Sequence, residues 1–317
     1  MGYAKKRINP IVANHVNRNF TALFTRAVTK AVHRLPPPWQ PKKRGRKGHD
    51  SRTVAIGCLL KVGLNQTYDG IEAHIKDSQS LTTCCPVLPG HSVIQRGMTR
   101  LSIAYIRKAM NLIVRFLRRR KMTIAVDSTG FNTHQSSTWY DLRIERHGSR
   151  RDCIKLHISV DVHTGVVHWF TTTGWNRHDS KEFARLIKHL PEVDKVLGDK
   201  AYSSRVNCQL VADKHGVPYL SFHSNATSRA RGRPAWIISF RACKHDPEGW
   251  LAVYHLRSIV ESVFSSMKRR WGSFLQSRKR WMQKRELALK VFSYNVKQVL
   301  MVRYATERKV ALWVKAK

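Results

Sequence analysis

Carboxylates are scarce in this chain. Its 317 residues hold 20 Asp and Glu against 58 Lys and Arg, a formal net charge of +38 with the 16 His counted neutral. A positive excess of that size repels itself unless a polyanion is near, which makes nucleic acid the leading partner. No apolar run reaches the roughly 18–20 residues that a membrane helix needs, so no membrane span is expected. The start, MGYAKKRINP, has no apolar stretch behind its charges and does not read as a secretory signal. Six Cys, at 58, 84, 85, 153, 208 and 243, lack paired metal spacing. A disulfide framework or zinc ribbon is therefore not expected, and reduced cytosolic thiols fit best. No Walker-type GxxxxGKS/T occurs, so nothing points to a nucleotide cofactor, and GxSxG and HExxH are missing too. Apolar material is ample at 42% hydrophobic and 9% aromatic, enough to bury a core.

Two regions are expected. Residues 1–120 read as helical and basic, a DNA-binding region of helix-turn-helix character, with a flexible linker over 35–50. A helix is expected from Ala13 to His33, ending before Pro36-Pro37-Pro38. Others are expected over Val54–Leu64, from Tyr68 to Ile75, and over Ile106–Leu117. The linker, QPKKRGRKGHD, concentrates Lys42, Lys43, Arg44, Arg46 and Lys47. From Lys121 the pattern changes to strands: Met122–Phe131, Cys153–Val162 and Val166–Gly174, the last two joined by a His163-Thr164-Gly165 turn. A helix opening at Asp179 or Ser180, a strand at Asp194–Tyr202, a helix to about His215 and a strand at Pro218–Phe222 follow. Long helices from about Trp250 to Trp271 and from Glu286 to about Tyr304 close the chain. Residues 121–317 thus form an α/β layer with antiparallel and parallel parts.

Three acids interrupt apolar strands: Asp127 in IAVDST, Asp161 in ISVDVH and Asp199 in VLGDKAY. A buried carboxylate costs several kcal/mol unless paired, hydrogen-bonded or bound to metal. Asp161 precedes a turn and is read as structural. Asp127 and Asp199 lie where strands run out, and the pattern alone fits metal binding and salt bridges equally. Most other acids, among them Asp50, Asp77, Asp152, Glu182, Glu192, Asp213, Glu286 and Glu307, read as loop or solvated-face residues. At about 100° per residue, Tyr254, Arg257, Glu261 and Lys268 share an arc of roughly 60° on one helix. Ile259, Val260, Val263, Phe264, Met267 and Trp271 take the core-facing side. An ordinary i,i+4 pair on a surface helix would also account for Arg257 and Glu261.

At these residues the sequence resembles the DDE transposases of bacterial and archaeal insertion sequences, which have an RNase H-like core. Asp127 in AVDSTGF resembles the first-aspartate segment, and Asp199 with Tyr202 in GDKAY the Asp-x-x-Tyr of the second. Tyr254, Arg257, Glu261 and Lys268 match the Tyr-Arg-Glu-Lys element with every gap correct. His178-Asp179-Ser180 is also similar, which makes His178 a candidate neighbour of the site. The resemblance spans about Met122 to Trp271. It implies a catalytic triad of Asp127, Asp199 and Glu261 holding two divalent ions, normally Mg²⁺ with Mn²⁺ as a substitute. It further implies that Arg257 and Lys268 hold DNA phosphates, and that Tyr254 and Tyr202 support the site or the DNA. Double-stranded DNA, as terminal inverted repeats and target, is the implied partner, bridged by a homodimer or higher oligomer in a prokaryotic cytoplasm. Any large insertion domain between Asp199 and Glu261 is absent or very short.

Arg231-Gly232-Arg233-Pro234 reproduces the core of minor-groove AT-hook peptides, and Arg44-Gly45-Arg46-Lys47 comes close. Both groove insertion and plain phosphate contact fit Arg231 and Arg233. Two rivals to a transposase remain: a catalytically inactive DNA-binding protein or repressor derived from one, and another RNase H-like nuclease.

Overall fold

The structure, a computed structural model, describes residues 6–40, 48–78, 89–117, 121–133 and 153–315. The basic run from Lys42 to Lys47 lies outside the described residues. The first half of the chain runs β1 (Lys6–Ile8), α1 (Pro10–Arg18), α2 (Phe20–His33), α3 (Ser51–Gly63), α4 (Tyr68–Asp77), α5 (His91–Arg100) and α6 (Ile103–Val114). It continues through β2 (Met122–Asn132), β3 (Cys153–Asp161), β4 (Val167–Gly174), α7 (Ser180–Ile187), β5 (Val193–Gly198), α8 (Arg205–Ala212) and β6 (Val217–Leu220). The last elements are α9 (Pro234–His245), α10 (Pro247–Tyr254), α11 (Ile259–Trp271), α12 (Arg280–Glu307) and β7 (Trp313–Lys315).

The chain divides into two compact units. Leu117–Arg269 with Ser273–Gln276 make one, and Lys6–Phe116 with Arg270–Gly272 and Ser277–Lys317 the other. The second unit is helical. The helix expected over Ala13–His33 is two helices that meet at Asn19, whose side-chain amide donates to the His15 carbonyl at 3.0 Å. Such a side-chain bond competes with the helical ladder and ends it. Gly63 lets α2 and α3 cross closely, since a Cβ there would lie 2.1 Å from the Phe24 ring. The C-terminal helix, expected to extend the catalytic region, packs instead on α1, α2, α3 and α6. Its sequence explains this: Leu287, Leu289, Val291, Phe292 and Val296 are fully buried and point in all directions, so the helix needs neighbours all round. Glu286, expected on a solvated face, is buried there and paired with buried Lys290 at 3.4 Å. β1 and β7 pair antiparallel, with Ile8 opposite Trp313.

The first unit carries a five-stranded mixed sheet in the order β4-β3-β2-β5-β6. β2, β3 and β4 run antiparallel to their neighbours, while β2, β5 and β6 are parallel. This is the RNase H-like arrangement expected from the sequence, flanked by helices. Alternation along β2 sends Met122, Ile124 and Val126 into a core with Phe183, Leu186 and Ile187 of α7 and Cys208 and Val211 of α8. Asp161 is structural as expected: its carboxylate accepts from the His163 amide at 3.1 Å and the Thr164 hydroxyl at 2.7 Å, tying the β3–β4 turn. Helix α9 is not among the elements expected from the sequence. Pro234 at its first position and buried Ala235 and Trp236 start it.

Candidate active site

Parallel pairing sets the middle of β2 beside the end of β5, so Asp127 lies within its strand, not where it runs out as expected, and Asp199 just past its own. Ala125 lies opposite Leu197, and two residues further along each strand come Asp127 and Asp199. Side chains of the flanking strands fill the space over Gly198, where a Cβ would meet Leu220 Cδ2 at 2.9 Å and Val126 Cγ2 at 3.1 Å. Asp199 caps the 3-10 turn Lys200–Tyr202, accepting from the Ala201 amide at 3.0 Å. Asp127 Oδ1 accepts from the Ser128 amide at 2.8 Å, and Oδ2 from Arg257 Nη1 at 2.9 Å.

Burial, with smaller pushes from the negative charges of Asp199 and Asp179, raises the Asp127 carboxyl to about 6 against the pull of the Ser128 amide and Arg257. The two aspartates therefore sense each other. Glu261 is held differently. Its side chain is 68% exposed and reaches the pair through Arg257, whose Nη2 lies 3.7 Å from Glu261 Oε1. Among the described residues, no three His, Cys, Asp or Glu side chains converge as a metal-ligand group. The guanidinium of Arg257 instead touches Asp127 and Glu261 together.

The helix expected to run unbroken from Trp250 to Trp271 is interrupted. Asp246 caps a separate helix from Pro247, its carboxylate accepting from the Gly249 amide at 2.9 Å, and a 3-10 turn, His255–Ser258, follows before α11. Tyr254 and Arg257 so precede the helix that carries Glu261 and Lys268, and the shared arc is not that of one helix. Arg257 lies 5.7 Å from the Tyr254 ring, which stacks on Trp250 at 5.1 Å. Lys268 donates to the Thr129 hydroxyl at 2.8 Å, and burial lowers its pKa. Tyr202 is fully buried beside Phe183, so it supports the site from beneath and offers no surface to DNA. Arg231 and Arg233 are exposed on the loop before α9, with Arg231 and Gly232 at φ 48° and 74°. His178 is exposed.

Beside His178, the structure adds residues the sequence reading did not weigh. Asp179 Oδ2 accepts from the Ser128 hydroxyl at 2.9 Å, and Oδ1 is ion-paired with Lys155 Nζ. His157, fully buried, has Nδ1 3.8 Å from the same oxygen and Nε2 2.8 Å from the Thr173 hydroxyl. Glu182, expected on a solvated face, is wholly buried under Arg177 and Arg185. The signal was there: Lys155 and His157 are polar residues two apart in an apolar strand, which places both on one sheet face.

Residues 118–296 match the Transposase DDE domain family, more than half of the chain and the whole stretch from β2 through α11.

The chain belongs to this transposase family.

Both aspartates, Arg257, Glu261 and Lys268 lie inside the matched residues. No curated protein sequence matches the chain. Among solved structures, it is similar to the piggyBac transposase in a synaptic complex with hairpin DNA, at 7% identity and a TM-score of 0.46, over 92% of this chain and 74% of that one.

Proposed function

We propose that this chain is the transposase of a bacterial or archaeal insertion sequence, of the Tyr-Arg-Glu-Lys motif group. It binds terminal inverted repeats as a dimer or higher oligomer, cleaves at the element ends and joins the 3′ ends to target DNA. The observation that carries this reading is the neighbouring placement of Asp127 and Asp199, two residues beyond the last paired residues of parallel β2 and β5, with the Asp127 carboxyl raised to about 6. Crowded, half-dry carboxylates are a hard-oxygen donor set that a divalent cation relieves, so these residues fit Mg²⁺ or Mn²⁺. Asp127 and Asp199 would hold the cation, with Glu261 as a third ligand in place of its contact with Arg257. Bound there, divalent ions would activate a water or 3′-hydroxyl and stabilise the leaving 3′-oxygen.

The protein's own cations do the rest. Arg257 moves from the carboxylates to a DNA phosphate, for which its planar fork is suited. Lys268 sits beside Thr129 on the same face of β2 as Asp127, and supplies a point charge to a neighbouring phosphate. Arg231 and Arg233, exposed on their loop, add backbone contacts, and the helical unit engages the repeat.

The test uses the full chain with a labelled terminal-repeat duplex, in Mg²⁺, in EDTA and as Glu261→Ala. Cutting at the repeat end that needs metal and Glu261, with binding preserved in the variant, supports the proposal. Tight binding without cutting under any divalent metal points to an inactive, regulatory descendant.

A further inference from the structure

We propose that Asp179 is a positioning residue for Asp127, acting through Ser128. This rests on Asp127 being a metal ligand, as proposed above. Asp179 occupies the position before α7 where an aspartate ordinarily caps the helix through its side chain. Here it makes no capping bond. Its carboxylate turns away from α7 to the sheet, where one oxygen receives the Ser128 hydroxyl and the other meets Lys155, which is also bonded to the Arg177 carbonyl at 3.3 Å.

Ser128 is the link. Its hydroxyl is committed to Asp179, and its backbone amide holds Asp127 Oδ1 at 2.8 Å. The linkage falls where β2 loses support on one side. Pairing with β3 continues to Asn132, but pairing with β5 stops at Ala125. From residue 126 onward, the β5 side of β2 has no strand ladder to fix its backbone. A tether from the side chain of residue 128 supplies that restraint one residue beyond the ligand. Lys155 neutralises Asp179, and buried His157 closes the far side of the same oxygen at 3.8 Å. Asp179, with 15% of its side chain exposed, is set to orient rather than to bind.

The experiment compares Asp179→Ala, Asp179→Asn, Ser128→Ala and the double variant Asp179→Ala/Ser128→Ala in the full chain. It measures cleavage rate at saturating repeat DNA, DNA affinity, and Mn²⁺ affinity of the DNA-free protein by calorimetry. Removing either partner is expected to lower the cleavage rate and weaken Mn²⁺ binding about tenfold, within the range for supporting groups behind metal ligands, and to leave DNA affinity unchanged. Because both act through one link, the double variant loses no more than either single one. Asp179→Asn keeps an acceptor oxygen towards Ser128 and recovers the rate to within about threefold of the parent. Parental rates in Asp179→Ala, multiplied losses in the double variant, or Asp179→Asn no better than Asp179→Ala each overturn the proposal. Should Asp179→Ala not fold, a parental rate and Mn²⁺ affinity in Ser128→Ala overturn it alone. Asp127→Ala separates the two readings: if it still cuts, the metal-site assignment itself fails, whatever the Asp179 variants do.

Discussion

On one face of β2, Asp127 and Thr129 meet Arg257 and Lys268; on the other, Ser128 meets Asp179, which pairs with Lys155. The first face has loosely held partners. Arg257 divides itself between two acids, one of them largely exposed, and Asp127 remains short of compensation. The second is closed on itself, with each Asp179 oxygen occupied and a buried His behind. The same residue types build both. The difference teaches that under-compensation, rather than the presence of acids and bases, marks the face that awaits a ligand.

The sharpest break of this comparison is Asp127→Asn, expected to lower single-turnover cleavage by about 10³-fold or more while repeat binding persists. A variant that still cuts would move the chemistry off this face. Next, Lys155→Met strips the closed face of its cation, and a partly buried carboxylate left alone is expected to cost about 3 kcal/mol in urea unfolding. A loss within about 0.5 kcal/mol would place this pair with ordinary surface contacts.

The third prediction uses pH. Asp127 has a folded pKa raised from 3.8 to about 6. The folded state therefore binds the proton more tightly, and its contribution is full below about 4 and lost as pH rises through 6. Metal-free parent protein is expected to lose about 2–3 kcal/mol relative to Asp127→Asn between pH 4 and 7. Chemical denaturation at both pH values checks it; parallel profiles would mean that Asp127 is not strained. The smallest effect is Lys268→Ala, which is expected to weaken repeat binding by about 1 kcal/mol and to reduce the logarithmic salt slope by about one. A slope unchanged between 50 and 200 mM salt, about the range where such contacts register, would leave Lys268 bonded to Thr129 on DNA.

Much of this was legible in the sequence. The strands from β2 to β5 and the acids Asp127, Asp161 and Asp199 stood out because strand periodicity is short and a carboxylate in an apolar run is conspicuous. Asp161 was separable from Asp127 by its turn alone. The break at His255–Ser258 was not legible, since the residues from Tyr254 to Lys268 keep helical spacing across a tighter turn. Glu182 and Glu286 were misplaced because their partners, Arg177, Arg185 and Lys290, look like surface cations until the fold buries the acids beneath them. Asp179 escaped for another reason: helix-opening aspartates are common, and only tertiary structure shows that this one faces the sheet.

At Gly198, one residue before Asp199, the side chains of Val126 and Leu220 from the two flanking strands close over a bare backbone. Seventy-two positions separate Asp127 from Asp199 in the chain, and loops or helices in that interval can lengthen or shorten without moving either acid. A single added methyl at Gly198 would press on Leu220 and Val126 first, and so disturb the acids through the packing beside them rather than by contact.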